Sequence, residues 1–178
     1  MDTIIRPCLE SDLPAVTAIY ADAVIHGTAS FELQPPTEGE MRRRRAALIE
    51  GGYPYLVAER GGIVVGYAYA GAYRTRPAYR STVEDSVYMA QSAQGQGVGR
   101  TLLSAVIEAS EARDFRLMVA VIGDKASTAS IRLHEAAEFR AVGVLEPIGY
   151  KHGRWLATVL MQRVLGPGAA TPPPHPIP

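Results

Sequence analysis

Apolar residues recur along this chain with two periods, and the switches between them mark out the elements. From Glu10 to about His26, the residues Leu13, Val16, Ile19, Tyr20, Ala23 and Val24 fall three or four apart, which predicts one buried face of a helix. Ser11 or Asp12 can cap it and Pro14 suits its first turn. A loop, Gly27 to Pro36, carries Phe31. Thr37-Glu38-Gly39-Glu40 then has the spacing of a capping box, with Glu40 reaching back, and the helix it opens should end at Gly51-Gly52. Strands are expected at Thr3 to Cys8, Pro54 to Arg60 and Ile63 to Tyr73, the last two joined by a tight turn at Gly61-Gly62. Arg74 to Arg80, with Pro77, reads as a polar connector. Thr82 to Met89 alternates again as a strand, and Gly97 to Arg113 is helical, with Leu102, Leu103, Val106 and Ile107 on one face. Phe115 to Ile122 suits a strand buried on both faces. Ala126 to Ala137 reads as a helix, and Ala141 to Leu145 and Trp155 to Arg163 as closing antiparallel strands. A strand-helix-strand crossover with hairpins on both sides implies an α/β fold: a mixed sheet with helices on both faces.

Composition narrows the class without naming a function. The 178 residues include 47% hydrophobic and 20% charged positions, which fits one globular domain with its own core. Formal net charge is zero, so nothing favours nucleic acid as a partner. Cys8 stands alone in an apolar stretch and reads as a buried structural thiol, and no His/Cys spacing suggests a metal. The N-terminus lacks the apolar core of a signal peptide, no run is long enough to span a membrane, and the cytoplasm is the expected location. Arg42 to Arg45 could be an anion site, but Glu38 and Glu40 lie one turn before Arg42 and Arg44, which favours a solvated, internally paired helix face. The domain is expected over residues 1–166. Residues 167–178, with six prolines, should form an extended, poorly ordered tail.

The segment richest in chemistry is Gln94-Gly95-Gln96-Gly97-Val98-Gly99-Arg100, directly before an apolar helix. Alternate glycines let the backbone turn tightly and approach a ligand, and the free N–H groups of the first helical turn, with the helix dipole, suit phosphate oxygens. Arg100 adds positive charge. The segment is neither a P-loop, which needs Gly and Lys where Gln94 and Arg100 stand, nor G-x-G-x-x-G.

Here the sequence resembles the GNAT superfamily of acetyltransferases. Its motif Q/R-x-x-G-x-G/A is matched by Gln94, Gly97 and Gly99. The likeness runs from about Ile4 to Arg163 and sharpens to the branch containing phosphinothricin and methionine sulfoximine acetyltransferases. The stretches that carry it are GYAYAG from Gly66, VEDSVY from Val83, AVIG from Ala120, SIRLHEA from Ser130 and GYKHGRW from Gly149. The resemblance implies a mostly antiparallel seven-stranded sheet whose central parallel pair splays around acetyl-CoA as co-substrate. It also implies that the backbone of Val87, Tyr88 and Met89 pairs with the pantetheine arm, and that amides from Gly95 through Gln96, Gly97, Val98 and Gly99 to Arg100 bind the diphosphate. Met89 N–H is the implied oxyanion donor. Ser127 stands where relatives carry Asn for the same arm, with Ser130 on the same helix face.

Amide formation from a thioester needs a base for the amine, donors for the oxyanion and relief for the thiolate. The resemblance gives Glu84 the role of general base, directly or through water. His134 shares a helix face with Ser127, Ser130 and Ile131 and is the second catalytic candidate, as proton relay or substrate holder. Tyr88 and Tyr150 are both candidates to protonate the thiolate. Arg74 and Arg76 match basic positions of the family's substrate pocket and suit a carboxylate, with Tyr79 and Phe31 as walls. His152 is a weaker candidate. The leading expectation is N-acetylation of a small amino acid or analogue by a homodimer that pairs through the C-terminal strands. The alternatives are acetylation of another amine, such as a polyamine or protein N-terminus, and a non-catalytic acyl-CoA-binding module.

Overall fold

Alternation gives the central strands two different surfaces. On β2 (Tyr55–Arg60) and β3 (Ile63–Ala72), Tyr55, Val57 and Tyr67 pack beneath α1 (Leu13–His26) through its Val16, Ile19, Tyr20 and Val24. On the reverse face Ala58, Ala68 and Ala70 leave room for Leu102, Leu103 and Val106 of α3 (Val98–Glu111). Helix α2 (Glu38–Glu50) covers the tyrosine face beside α1 through Met41, and α4 (Thr128–Ala136) lies on the alanine face with Ile131 and Leu133. In the computed structural model, which describes residues 2–173, β1 (Ile4–Pro7), β2, β3, β4 (Thr82–Met89), β5 (Leu117–Gly123), β6 (Arg140–Lys151) and β7 (Arg154–Val164) form one sheet. Its order is β1-β2-β3-β4-β5-β7-β6. Every neighbouring pair is antiparallel except β4–β5, so the mixed, mostly antiparallel seven-stranded architecture is the one the sequence implied.

Several local expectations need correction. Asp12 stands at the N-cap of α1, but its carboxylate turns back to accept from Leu9 N–H at 2.7 Å and from Arg6 at 2.7 and 2.9 Å. That pairing holds Asp12 below the usual carboxylate range. Thr37 Oγ1 does accept from Glu40 N–H at 3.2 Å, yet Glu40 pairs with Arg43 and Arg44 and leaves the other half of the capping box unmade. The arginine run is the paired face: Arg42 meets Glu10 and Glu38, Arg44 also meets Glu32, and Arg45 donates to Cys8 O. Strand β6 runs well past Leu145 through Pro147, which an edge strand tolerates at the irregularity between Leu145 and Gly149. Strand β7 is interior, between β5 and β6, so only β6 presents a free edge on this side. The first tail residues turn beside β5, where Arg116 Nη1 donates to Thr171 Oγ1 at 3.1 Å and Gly168 N–H to Leu165 O at 2.9 Å. The rest of the tail expectation, on residues 174–178, lies outside the described residues.

The loop between α1 and α2 is bolted across the ends of β5 and β6. Lys151 Nζ, 4% exposed, donates to Ser30 O at 2.6 Å, and Tyr20 Oη lies 2.9 Å from Ser30 Oγ. Burial pulls the Lys151 ammonium below its ordinary value. Gly123 and Gly149 make room for the loop: a Cβ on Gly123 would lie 2.2 Å from Thr28 O, and one on Gly149 would lie 2.4 Å from the Phe31 ring. A backbone oxygen cannot swing aside as a side chain can. Gly123→Ala should therefore lower unfolding stability by about 1–3 kcal/mol, whereas Gly143→Ala, with nothing within 4 Å of its Cβ, should stay within about 0.5 kcal/mol of wild type. Urea denaturation midpoints of the two variants check the contrast.

Candidate active site

The sheet opens where its one parallel ladder stops. Strands β4 and β5 pair only at Thr82–Leu117, Val83–Met118 and Glu84–Val119. Beyond them β4 stays with β3 as far as Met89, and β5 stays with β7 as far as Gly123, so two firmly held strands part from each other. A cleft of about 890 Å³ fills the gap. Its walls come from β4, β5, the glycine turn, α4 and the segment from the end of α1 to Ala29. The unpaired strand edges leave backbone donors and acceptors facing the cleft.

At one end lies the glycine turn. Gly95 and Gly97 have φ of 70° and 81°, and no atom lies within 4 Å of where their Cβ atoms would sit. Gly97 is the N-cap of α3, and Thr101 N–H to Gly97 O (3.2 Å) is the helix's first bond. The amides of Val98, Gly99 and Arg100 thus precede any intrahelical acceptor and carry the positive end of the dipole. Gln94, Gly95, Gly97, Gly99 and Arg100 line the cleft. Gln96 and Val98 brace it from behind: Val98 is 1% exposed in the core, and Gln96 donates to Ser92 O at 2.7 Å and accepts from Arg60. Open backbone, free amides and a cation together fit a diphosphate.

At the vertex the side chains of β4 divide between the two faces. Tyr88 belongs to the tyrosine side, and Val83, Val87 and Met89 to the α3 side, so alternation sends Glu84 and Ser86 with Tyr88, and Asp85 with Val87. Glu84 is half-buried, and burial followed by the charge of Asp85 raises its carboxyl above the usual value, partly offset by Arg74. Burial also pushes the Tyr88 phenol well up, so it stays protonated. The Tyr88 ring meets Tyr20 edge-on at 4.9 Å and stacks on Tyr67 at 5.3 Å.

His134 lines the cleft on the other face from Glu84. Its Nδ1 lies 2.7 Å from Ser130 O and its Nε2 3.0 Å from Asp85 Oδ2. Sequence reasoning missed Asp85. The signal was available: a carboxylate between Val83 and Val87 on a core-facing side needs a buried partner. Ser127, also in the wall, donates its hydroxyl to Gly123 O at 2.8 Å, so as a donor it is occupied.

Arg74, Arg76 and Tyr79 come together as expected, but around a separate cup of about 310 Å³. Arg74 lies over its neighbour Tyr73, 4.3 Å from the ring centroid, and Tyr79 meets Tyr73 edge-on at 5.9 Å. The cup communicates electrostatically with Glu84 through Arg74. Phe31 is not in the cleft wall, since its ring is spent on Gly149 and Gly123, while Thr28 and Ala29 of the same loop reach the cleft. Tyr150 is exposed against Trp155 and lies outside the cleft wall, and His152 Nε2 lies 3.1 Å from Gly27 O.

Comparison with known proteins agrees with this geometry. Residues 16–139 match the acetyltransferase (GNAT) family. Phosphinothricin N-acetyltransferase of Alcaligenes faecalis is 54% identical over 169 residues, covering 95% of this chain and 86% of that protein. The L-methionine sulfoximine/L-methionine sulfone acetyltransferase of Pseudomonas paraeruginosa is 39% identical over 173 residues, 97% of this chain and all of that one. The crystal structure of a GNAT superfamily phosphinothricin acetyltransferase from Sinorhizobium meliloti in complex with AcCoA superposes with a TM-score of 0.94. It is 46% identical and covers 97% of this chain and 94% of its own.

Proposed function

This chain belongs to the GNAT acetyltransferase family, and we propose that it moves the acetyl group of acetyl-CoA onto the amino group of a small amino-acid analogue, of the phosphinothricin or methionine sulfoximine type, by direct transfer in a ternary complex. The observation that carries the proposal is that one cleft holds both ends of the chemistry: free amides at the start of α3 and, at the vertex, a half-buried carboxyl with a raised pKa.

Each step falls to a residue already placed. The amides of Val98, Gly99 and Arg100 take the diphosphate, and the edge of β4 from Ser86 to Met89 offers donors to the pantetheine arm and to the developing oxyanion. Glu84 accepts the proton of the amine, for which its raised pKa suits it better than an ordinary carboxylate. The amine nitrogen bonds to the thioester carbon, the C–S bond breaks, and Tyr88 gives its phenolic proton to the departing sulfur. Arg74 and Arg76 hold the substrate's carboxylate. A polyamine would meet these cations as repulsion. Holding both reactants in one gap supplies much of the acceleration.

Strand β6 supplies the second part of the proposal, a homodimer. Its free edge is flanked by exposed Val142, Val144, Ile148, Tyr150 and Trp155, the last 63% exposed. Exposed apolar side chains beside an unpaired strand edge suit a second copy of the chain. No helix among the described residues is long and apolar enough to cross a membrane. The lone buried Cys8 suits a reducing compartment, and we place the protein in the cytoplasm.

Mixing the protein with acetyl-CoA and methionine sulfoximine should release free thiol, and silence across a panel of amino acids would overturn the substrate class. Glu84→Gln should lower kcat by about 10²–10⁴-fold while calorimetric acetyl-CoA affinity persists. Because Glu84 acts deprotonated and its pKa is raised, kcat/KM should fall on acidification with a midpoint above the ordinary glutamate value, and that limb should vanish in the variant. For the dimer, light scattering should report twice the chain mass for wild type and a monomer for the double variant Val144→Lys, Trp155→Glu; a monomeric wild type refutes it.

A further inference from the structure

The backbone ladder between β4 and β5 ends at Glu84, and the next residue of β4 is Asp85, joined to His134 of α4. These side chains are 2% and 5% exposed, and both line the cleft. Strand β4 belongs to the arm of the split built on β1–β3. Helix α4 follows β5 and belongs to the other arm. The contact therefore crosses the split just where main-chain pairing gives out.

The hydrogen-bond partners of the ring constrain where its protons sit. Ser130 O can only accept, so Nδ1 of His134 carries a proton. Where Asp85 is ionised it can likewise only accept, and Nε2 then carries a second. Burial pulls the ring's pKa down, but the hydrogen bond to Asp85, its charge and the bond to Ser130 O together push it above its ordinary value. Among the described residues Asp85 is the one charged group acting on this ring, with Phe139 edge-on at 4.9 Å and Glu84 directed to the opposite face. Both ring nitrogens are thus committed, which leaves His134 no free N–H to relay.

We propose that Asp85 and His134 form a buried ion pair that ties α4 across the split to β4 and so sets the width of the gap that receives the pantetheine arm, making Asp85 a positioning residue. This rests on reading the cleft as the coenzyme's site. Directional, charge-assisted bonds hold a geometry that apolar contact alone would let drift, and removing one partner leaves the other buried and uncompensated.

Two substitutions separate the tie from the charge. In Asp85→Asn a neutral ring keeps its proton on Nδ1 and accepts from the new amide on Nε2, so the tie survives. In Asp85→Ala it is lost. Calorimetry with acetyl-CoA should show Kd within about threefold of wild type for Asp85→Asn and about tenfold weaker for Asp85→Ala. His134→Ala, which breaks the tie from the other side, serves where Asp85→Ala does not fold. Nitrogen NMR of the ligand-free protein should find His134 protonated on both nitrogens at neutral pH in wild type and on one in Asp85→Asn. An unchanged Kd in the folded tie-breaking variant, or a singly protonated ring in wild type, overturns the proposal. Wild type that fails to bind acetyl-CoA overturns the coenzyme reading instead, and the ring's protonation then decides the ion pair alone.

Discussion

The site depends on a parallel ladder that stops after three residue pairs. Had β4 and β5 stayed paired over their full lengths, the sheet would be closed and α3 would begin over a sealed surface. The strands part because each is held harder by its other neighbour: β4 by seven pairs to β3, and β5 by seven to β7. The gap is thus framed by two hydrogen-bonded half-sheets, with the Asp85–His134 contact as a side-chain tie across it. That frame holds backbone amides and a carboxyl around one cleft.

The sequence was legible where local chemistry decides structure. The alternation from Thr82 to Met89 gives the bounds of β4, and the glycine turn announces the tight bend, because positive φ favours glycine. It was illegible where tertiary partners compete with local ones. Glu40 had two arginines within a turn and took them over the cap. Asp12, an apt helix cap, was claimed by Arg6 from the neighbouring strand. The strand expected at Ala141 to Leu145 continues through Pro147, and only the position of β6 at an edge, which no local pattern reveals, lets it do so.

Among the site residues the same division holds. Glu84, Tyr88 and the glycines lie on elements whose periodicity fixes their direction. Phe31 lies in a loop, and its placement follows from two glycines more than 90 positions away, Gly123 and Gly149, which no spacing rule connects to it. The loop is nonetheless a fixed wall. Lys151 and Tyr20 grip Ser30, so the cleft's rim is continuous with the β6–β7 hairpin that carries the exposed apolar face.

A single charge links the two faces of β4. Asp85 is buried, and a carboxylate makes a neighbouring group hold its proton more tightly. On its own face it faces a base that becomes a cation when protonated, so His134 gains a charge and the pair is neutral. Across the strand it adds to burial, the larger cause, in raising a carboxyl that loses its charge when protonated, so Glu84 becomes the stronger base. One residue therefore pushes His134 and Glu84 the same way in pKa, toward charge in the first and toward neutrality in the second. The pair stands on the α3 and α4 face of the sheet, and the strengthened base on the tyrosine face. Arg74 opposes this on Glu84 alone. The basicity of Glu84 is then set first by its burial, next by the Asp85 carboxylate, and against both by the Arg74 cation.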